Sequence, residues 1–120
     1  MNYTIFLDNK KIGTCNLENA DAPMGVVSGK ITFVSENFNY NFFTEYCKKN
    51  SIKAEKHPEN LLISTQTIPN LKVYNESSKE IKGIGCYIAG MDSEHYEIAI
   101  IGISYPFYEE EFPHHVNEYK

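Results

Sequence analysis

The sequence predicts an α+β domain: an antiparallel sheet of about six or seven strands with one helix packed on a face. Short β-branched and aromatic runs recur roughly every 10 residues between turn signals, and only one segment changes to helical spacing. The connections are also too short for the crossover helices that parallel strands need. With 120 residues, 42% of them hydrophobic, residues 1–120 are expected to form a single domain with its own core.

The first two strands are predicted to form a hairpin. Residues 3–7 and 12–17 are rich in β-formers, and Asp8 and Asn9 between them tolerate the positive φ of a tight turn. Residues 26–34 resume as a strand whose odd-numbered side chains are apolar or glycine and whose even-numbered ones are mainly polar. That alternation is typical of a sheet with only one face covered.

The segment 37–50 is the one predicted helix. Asn39 is expected to cap its start, and Asn50 is expected to end it in the left-handed conformation. Its apolar side chains share one stripe, namely Phe42, Phe43, Tyr46 and Cys47. A single apolar stripe predicts that the helix packs on the sheet.

After a polar linker, residues 51–60, four more strands are predicted: 61–68, 71–74, 81–89 and 95–105. The last of them is the longest and most apolar, so we expect it to lie inside the sheet. Residues beyond it are acidic and aromatic, and either a partner-binding face or a solvated tail would fit them. In the earlier loop, Met24 is expected to plug the end of the core, and the alternative is an exposed, adaptable contact residue.

Histidines and cysteines leave an enzyme hypothesis open. A small enzyme could pair a cysteine with a histidine, or two histidines, but no spacing selects any pair among His57, His95, His114, His115, Cys15, Cys47 and Cys86. The simpler interpretation is buried, inert thiols and surface histidines. No cofactor or metal is expected, because the cysteines lack metal-binding spacing.

The glycines of residues 83–90 resemble a phosphate-binding loop only superficially, because no amphipathic helix follows them. Glycines within a strand are more typical of a bulge or of close backbone packing. A further hypothesis is a glycine-lined pocket at residues 83–90 in which the protein sequesters a small metabolite.

Charge is distributed unevenly along the chain. Residues 92–120 contain seven acidic residues and one lysine, a net charge of −6, whereas residues 1–91 contain nine acidic residues and ten lysines. Carboxylates beside aromatic rings are typical of a surface that binds a cationic protein, although a solvated acidic tail would look the same. The predicted partner-binding residues are Asp92, Glu94, Glu97, Tyr105, Phe107, Tyr108, Glu109, Glu110, Glu111 and Phe112.

The overall charge and hydropathy exclude other classes of partner. A net charge of −5 argues against direct nucleic-acid binding, and no apolar run is long enough to span a membrane. The N-terminal residues lack the pattern of a signal peptide, so we expect a cytoplasmic protein.

A small, acidic, single-domain chain of strands and one helix resembles the bacterial immunity proteins of contact-dependent inhibition and related polymorphic toxin systems. The segment 17–29, LENADAPMGVVSG, is also similar to a stretch seen in short bacterial proteins. The resemblance implies a non-enzymatic inhibitor of a cognate basic toxin such as a nuclease. The carboxylates would then stand in for substrate phosphates.

Overall fold

The computed structural model describes residues 2–119, which form ten short strands, three α-helices and two 3₁₀ turns. The strands are β1 (Tyr3–Leu7), β2 (Lys10–Cys15), β3 (Asn19–Asp21), β4 (Val26–Lys30), β5 (Thr32–Phe33), β6 (Ala54–His57), β7 (Leu62–Thr65), β8 (Leu71–Tyr74), β9 (Gly85–Met91) and β10 (Tyr96–Ile101). The helices are α1 (Tyr40–Lys49), α2 (Phe107–Glu111) and α3 (Pro113–Tyr119), and the 3₁₀ turns are Ala22–Met24 and Pro58–Asn60.

These strands build two antiparallel sheets. The four-stranded sheet has the order β5-β2-β1-β8, and the six-stranded sheet has the order β3-β4-β10-β9-β7-β6. The predicted α+β antiparallel class is confirmed, although the strands are more numerous and shorter than expected. The predicted interior position of β10 is confirmed as well, since it pairs with both β4 and β9.

The predicted hairpin and alternation are both confirmed. Asp8 and Asn9 adopt φ values of 50° and 67° between β1 and β2. The stretch 26–34 keeps its alternating burial but divides between the two sheets, because β4 pairs with β10 whereas β5 pairs with β2. This stretch therefore connects the two sheets directly.

Helix α1 begins where the sequence predicts. The side chain of Asn39 accepts a hydrogen bond from the Phe42 amide at 3.1 Å, and the helix packs on β6 and β7. Its end differs from the prediction, because Asn50 has φ −105° and the left-handed residue is Ser51. The Asn50 carboxamide instead donates to the carbonyl of Tyr46 at 2.9 Å, which satisfies one terminal carbonyl.

The acidic segment after β10 folds into helices α2 and α3, two elements that the sequence did not predict. The reason is spacing: Tyr108 and Phe112 lie four residues apart, share one face and are fully buried. The predicted linker 51–60 likewise contains β6, at the edge of the six-stranded sheet.

A single hydrophobic core lies between the elements. It includes Ile5 and Val73 of the four-stranded sheet and Ile88 and Ile98 of the six-stranded sheet. Phe112 closes one end of this core, with its ring centroid 5.8 Å from that of Tyr3.

Candidate functional site

The predicted partner-binding residues fall into two groups on either side of β10. Asp92, Glu94 and Glu97 lie before or near its start, whereas residues 105–112 follow its end. Six residues of extended strand span about 17 Å, so the two groups flank opposite ends of the strand.

In the first group Asp92 is engaged within the fold, whereas Glu94 and Glu97 are exposed. The Asp92 carboxylate accepts hydrogen bonds from the Tyr40 amide at 2.8 Å and from the Tyr96 hydroxyl at 2.7 Å. Burial raises the pKa of Tyr96, and this hydrogen bond raises it further. Glu97 lies opposite Lys30 on β4, while Glu94 is exposed.

Two aromatic residues of the second group are core residues. Tyr108 and Phe112 are fully buried, and the Tyr108 hydroxyl donates to the carbonyl of Val26 at 3.0 Å. Phe107 is half-buried, with the Lys79 ammonium 4.9 Å from its ring centroid. Tyr108 and Phe112 therefore offer no contact area to a partner in this structure.

Glu111 is also held inside the fold. Its carboxylate accepts hydrogen bonds from the Tyr3 hydroxyl at 3.0 Å and from the Asn75 carboxamide at 2.9 Å. Burial and this carboxylate together raise the pKa of Tyr3. Glu111 thus joins α2 to the four-stranded sheet and its following loop.

Near the second group, exposed residues occur around the first 3₁₀ turn and on helices α2 and α3, and we call them the C-terminal acidic surface. It consists of Asp21, Met24, Tyr105, Glu109, Glu110 and Glu118.

Hydrogen bonding and ring contacts connect the first 3₁₀ turn to Tyr105 and α2, where Glu109 and Glu110 are exposed. The Tyr105 hydroxyl donates to the carbonyl of Ala22 at 3.0 Å, and its ring stacks on Tyr108 with centroids 5.4 Å apart. Burial, with smaller contributions from nearby Tyr105 and Asp21, raises the pKa of Tyr108 to about 12. Glu118 of α3 lines the same open cleft as Asp21.

Met24 does not plug the core, contrary to the prediction, because 67% of it is exposed. Gly25 ends the 3₁₀ turn at φ 65°, a conformation that favours glycine, and its carbonyl accepts from the Ile103 amide at 2.9 Å. The turn is thereby held against the segment after β10, with Met24 pointing outward. Tyr105, on that segment, is 47% exposed.

Three members of this surface were missed by sequence reasoning. Asp21 and Met24 lie more than 80 residues from Tyr105 along the chain, so no local pattern connects them. Glu118 belongs to α3, a helix that the sequence did not predict. The only local signal was Pro23 and Gly25, which mark the exposed turn.

The cysteines have the properties of inert thiols. Burial raises the pKa of Cys15 to about 11 and that of Cys86 to about 12, and it raises the pKa of Cys47. Over residues 2–119, none of these thiols forms a hydrogen bond with a histidine.

The histidines are engaged elsewhere. His57 Nε2 lies 2.9 Å from the Glu55 carboxylate, and buried His115 donates from Nε2 to the carbonyl of Leu17 at 2.9 Å. The rings of His114 and His115 are adjacent, with no hydrogen bond between them. Within residues 2–119 no group of three potential metal ligands is found.

A cleft of about 340 Å³ lies at the glycine-rich start of β9, lined in part by Ile81, Gly83 and Cys86. The predicted close packing of these glycines is confirmed, since a side chain on Gly85 would collide with Thr67 and one on Gly83 with the carbonyl of Ile101. This cleft is where the small-metabolite hypothesis placed its pocket.

The helices between residues 2 and 119 are all too short or too polar to cross a membrane. Comparisons with protein-family models, with curated proteins and with solved structures find no match. Function must therefore be inferred from the surfaces of the chain itself.

Proposed function

We propose that the chain is an immunity protein that acts in the bacterial cytoplasm and neutralises a cognate basic toxin, such as a nuclease, by binding it. The C-terminal acidic surface is the proposed interface. One observation carries the proposal: exposed Met24 and Tyr105 lie on two segments that the Tyr105–Ala22 hydrogen bond joins, and the same segments and the helices after them carry four exposed carboxylates, Asp21, Glu109, Glu110 and Glu118. In the described part of the chain every ion pair involves His57 or His95, so none neutralises these carboxylates.

Such a surface suits recognition of a basic active site. The carboxylates of Asp21, Glu109, Glu110 and Glu118 would attract lysine or arginine side chains that normally hold substrate phosphates. Met24 and Tyr105 would be the desolvated anchors, since methionine adapts to a partner and tyrosine supplies area at low entropic cost. Inhibition would follow from blocking the toxin's substrate site.

The test begins with the genes next to this one: the proposal expects one of them to encode a basic toxin domain, which then serves as the binding partner, and the absence of such a gene would count against the proposal. The variant Glu109→Gln/Glu110→Gln/Glu118→Gln is compared with the wild type for rescue of toxin-expressing cells and for association rate across ionic strengths. We expect the association rate to fall about 10-fold or more at low salt and its salt dependence to flatten. Glu111 is left unchanged because its hydrogen bonds to Tyr3 and Asn75 stabilise the fold.

A matched control removes the same charge elsewhere. The variant Glu36→Gln/Glu45→Gln/Glu59→Gln changes three exposed carboxylates away from the proposed interface. It should bind nearly as fast as the wild type. If both variants slow association equally, net charge sets the association rate and the C-terminal acidic surface is not the interface. A normal association rate in the Glu109/Glu110/Glu118 variant would also overturn the proposal.

A second candidate function, sequestration of a small molecule, is favoured by the cleft at the start of β9. Native mass spectrometry of the protein purified from bacterial cells tests it. A bound mass is expected on the wild type and should be lost in Cys86→Phe, which fills the cleft. Cys47→Ala, at a buried site outside that cleft, is the control and should keep the mass. A wild type free of any bound mass would contradict this function.

A further inference from the structure

The outer face of the four-stranded sheet carries two aromatic rings that are not part of the core. Along β1 and β8 the buried side chains alternate with half-buried ones, so Phe6 and Tyr74 point away from the core. Their rings meet edge to face, with centroids 5.5 Å apart. Together with their neighbours they line a groove of about 370 Å³, which is within the size range of small-ligand sites.

A lysine lies beside these rings without an acidic partner. Lys72 is directly opposite Phe6 in the pairing of β8 with β1, is half-buried and lines the groove. No carboxylate lines the groove, and Lys72 forms no ion pair within the described residues. Lys11 lies opposite Phe6 on the other neighbouring strand, β2. In a chain of net charge −5, this is a local site that favours an anion.

Carboxamides form one end of the groove. Asn9, in the β1–β2 turn, and Asn70, just before β8, both line it. The Asp8 amide donates to the carbonyl of Asn70 at 3.2 Å, which holds the turn close to the start of β8. Each carboxamide offers both a hydrogen-bond donor and an acceptor. This combination can form paired hydrogen bonds with the donor and acceptor atoms along the edge of a heterocyclic base.

We propose that this groove binds a free nucleoside monophosphate. The base would stack on Phe6 and Tyr74, and Lys72 would contact the phosphate. The two carboxamides at the end of the groove would form hydrogen bonds with the edge of the base. A neutral sugar fits less well because it leaves the half-buried Lys72 without a counter-charge. A nucleic-acid strand fits less well because its many phosphates would be repelled by the acidic chain. The site is separate from the C-terminal acidic surface, and the proposal does not depend on the proposed function.

The experiment is an NMR titration of the labelled protein with AMP, adenosine, ribose 5-phosphate and a tetra-adenylate. We expect AMP to shift the amide signals of Thr4, Phe6, Lys72 and Tyr74 below about 10 mM, with adenosine binding more weakly. Signals of the C-terminal acidic surface should not move. The absence of any shift with AMP, or tighter binding of tetra-adenylate than of AMP, would overturn the proposal.

Variants separate the two kinds of contact. Lys72→Gln should weaken AMP about 10-fold and leave adenosine unchanged, whereas Lys56→Gln, an exposed lysine on β6, should leave both unchanged. Tyr74→Leu should weaken both ligands because it removes the stacking ring while keeping an apolar side chain. Equal effects of Lys72→Gln and Lys56→Gln would identify non-specific attraction and overturn the proposal. Unshifted signals from the core confirm that each variant is folded.

Discussion

Tyr105 and Tyr108 belong to the same acidic, aromatic segment but contribute in different ways. The ring of Tyr108 is buried and its hydroxyl donates to the carbonyl of Val26, whereas Tyr105 is half-exposed beside Met24. At the residue scale, then, Tyr108 stabilises the fold and Tyr105 is available for recognition.

The first prediction tests that difference by urea unfolding. Tyr108→Phe should lower the free energy of unfolding by about 1 kcal/mol, because it removes the hydrogen bond from the Tyr108 hydroxyl to the carbonyl of Val26. Phe112→Ala should lower it by about 3–5 kcal/mol, because it opens a cavity in the core. Glu110→Gln, on the exposed side of α2, is the control and should change it by less than about 0.5 kcal/mol. Wild-type stability of Phe112→Ala would contradict the packing described here.

The second prediction concerns the titration of His57. The Glu55 hydrogen bond is the largest influence and raises its pKa, with a smaller contribution from Glu59. A raised pKa in the folded state stabilises the protein fully below the unfolded pKa, and this contribution is lost as the pH rises through the folded pKa. In NMR titrations, Glu55→Gln should lower the His57 pKa more than Glu59→Gln does. An unchanged pKa in Glu55→Gln would show that the pair does not form in solution.

The third prediction concerns the thiols. Because burial raises the pKa values of Cys15, Cys47 and Cys86, their thiolate fractions at neutral pH are small. Iodoacetamide should therefore modify the native protein much more slowly than the urea-unfolded chain, as followed by mass spectrometry. A cysteine that iodoacetamide modifies faster in the native protein than in the unfolded chain would contradict this prediction. Such a result would support the cysteine–histidine enzyme hypothesis.

At the element scale, helix α1 is positioned by two side chains from different parts of the chain. Asn39 caps it locally, and Asp92, from the turn before β10, accepts from the amide of Tyr40. An anionic acceptor at a helix N-terminus is favourable for both the free amides and the helix dipole. Asp92 thus fixes α1 against the six-stranded sheet. This role within the fold explains why a carboxylate stands at this position, and no partner protein is needed to explain it.

The fourth prediction follows from that geometry. Asp92→Ala should lower the free energy of unfolding by about 1–3 kcal/mol and speed amide hydrogen exchange in the first turn of α1. Glu94→Ala, an exposed carboxylate two residues away that forms no hydrogen bond between residues 2 and 119, is the matched control. Equal behaviour of the two variants would show that the Asp92 hydrogen bonds contribute nothing.

At the scale of the whole molecule, the two sheets share one core. The stretch from β4 to β5 passes from one sheet to the other at Ile31, and Glu111 and Phe112 attach the C-terminal helices to Tyr3 of β1. Neither sheet could therefore lose its structure without exposing core residues of the other.

The fifth prediction is a single cooperative unfolding transition. Far-ultraviolet circular dichroism, which follows the backbone, and tyrosine fluorescence, which follows packing, should give the same midpoint in urea. Two separated transitions would mean that the sheets unfold independently and that residues 1–120 do not behave as a single domain.

Local features were the predictable part of this structure. The Asp8-Asn9 turn, the cap at Asn39 and the alternation of residues 26–34 depend on neighbouring residues, so each follows from short-range rules. Helix α2 was missed because Tyr105, Pro106 and Pro113 around it are typical of loops and its acidic run is typical of a tail. Its apolar spacing, Tyr108 to Phe112, is too short to establish a period by itself.

The candidate surface was predicted only in part. Glu109, Glu110 and Tyr105 remain accessible, but Glu111 and Asp92 accept internal hydrogen bonds from residues far away in the sequence. Whether a carboxylate faces solvent or a buried donor depends on long-range packing, which no window of sequence contains.

By itself, the sequence determined the α+β antiparallel class, the position of the main helix and the concentration of negative charge near the C-terminus, because these depend on composition and local periodicity. The tertiary structure alone decided that the strands divide into two sheets and that Tyr108 and Phe112 fill the core. It also decided that Asp21 and Met24 lie beside Tyr105. Those outcomes depend on contacts between residues distant in the sequence, which are selected by how the whole chain buries its apolar surface.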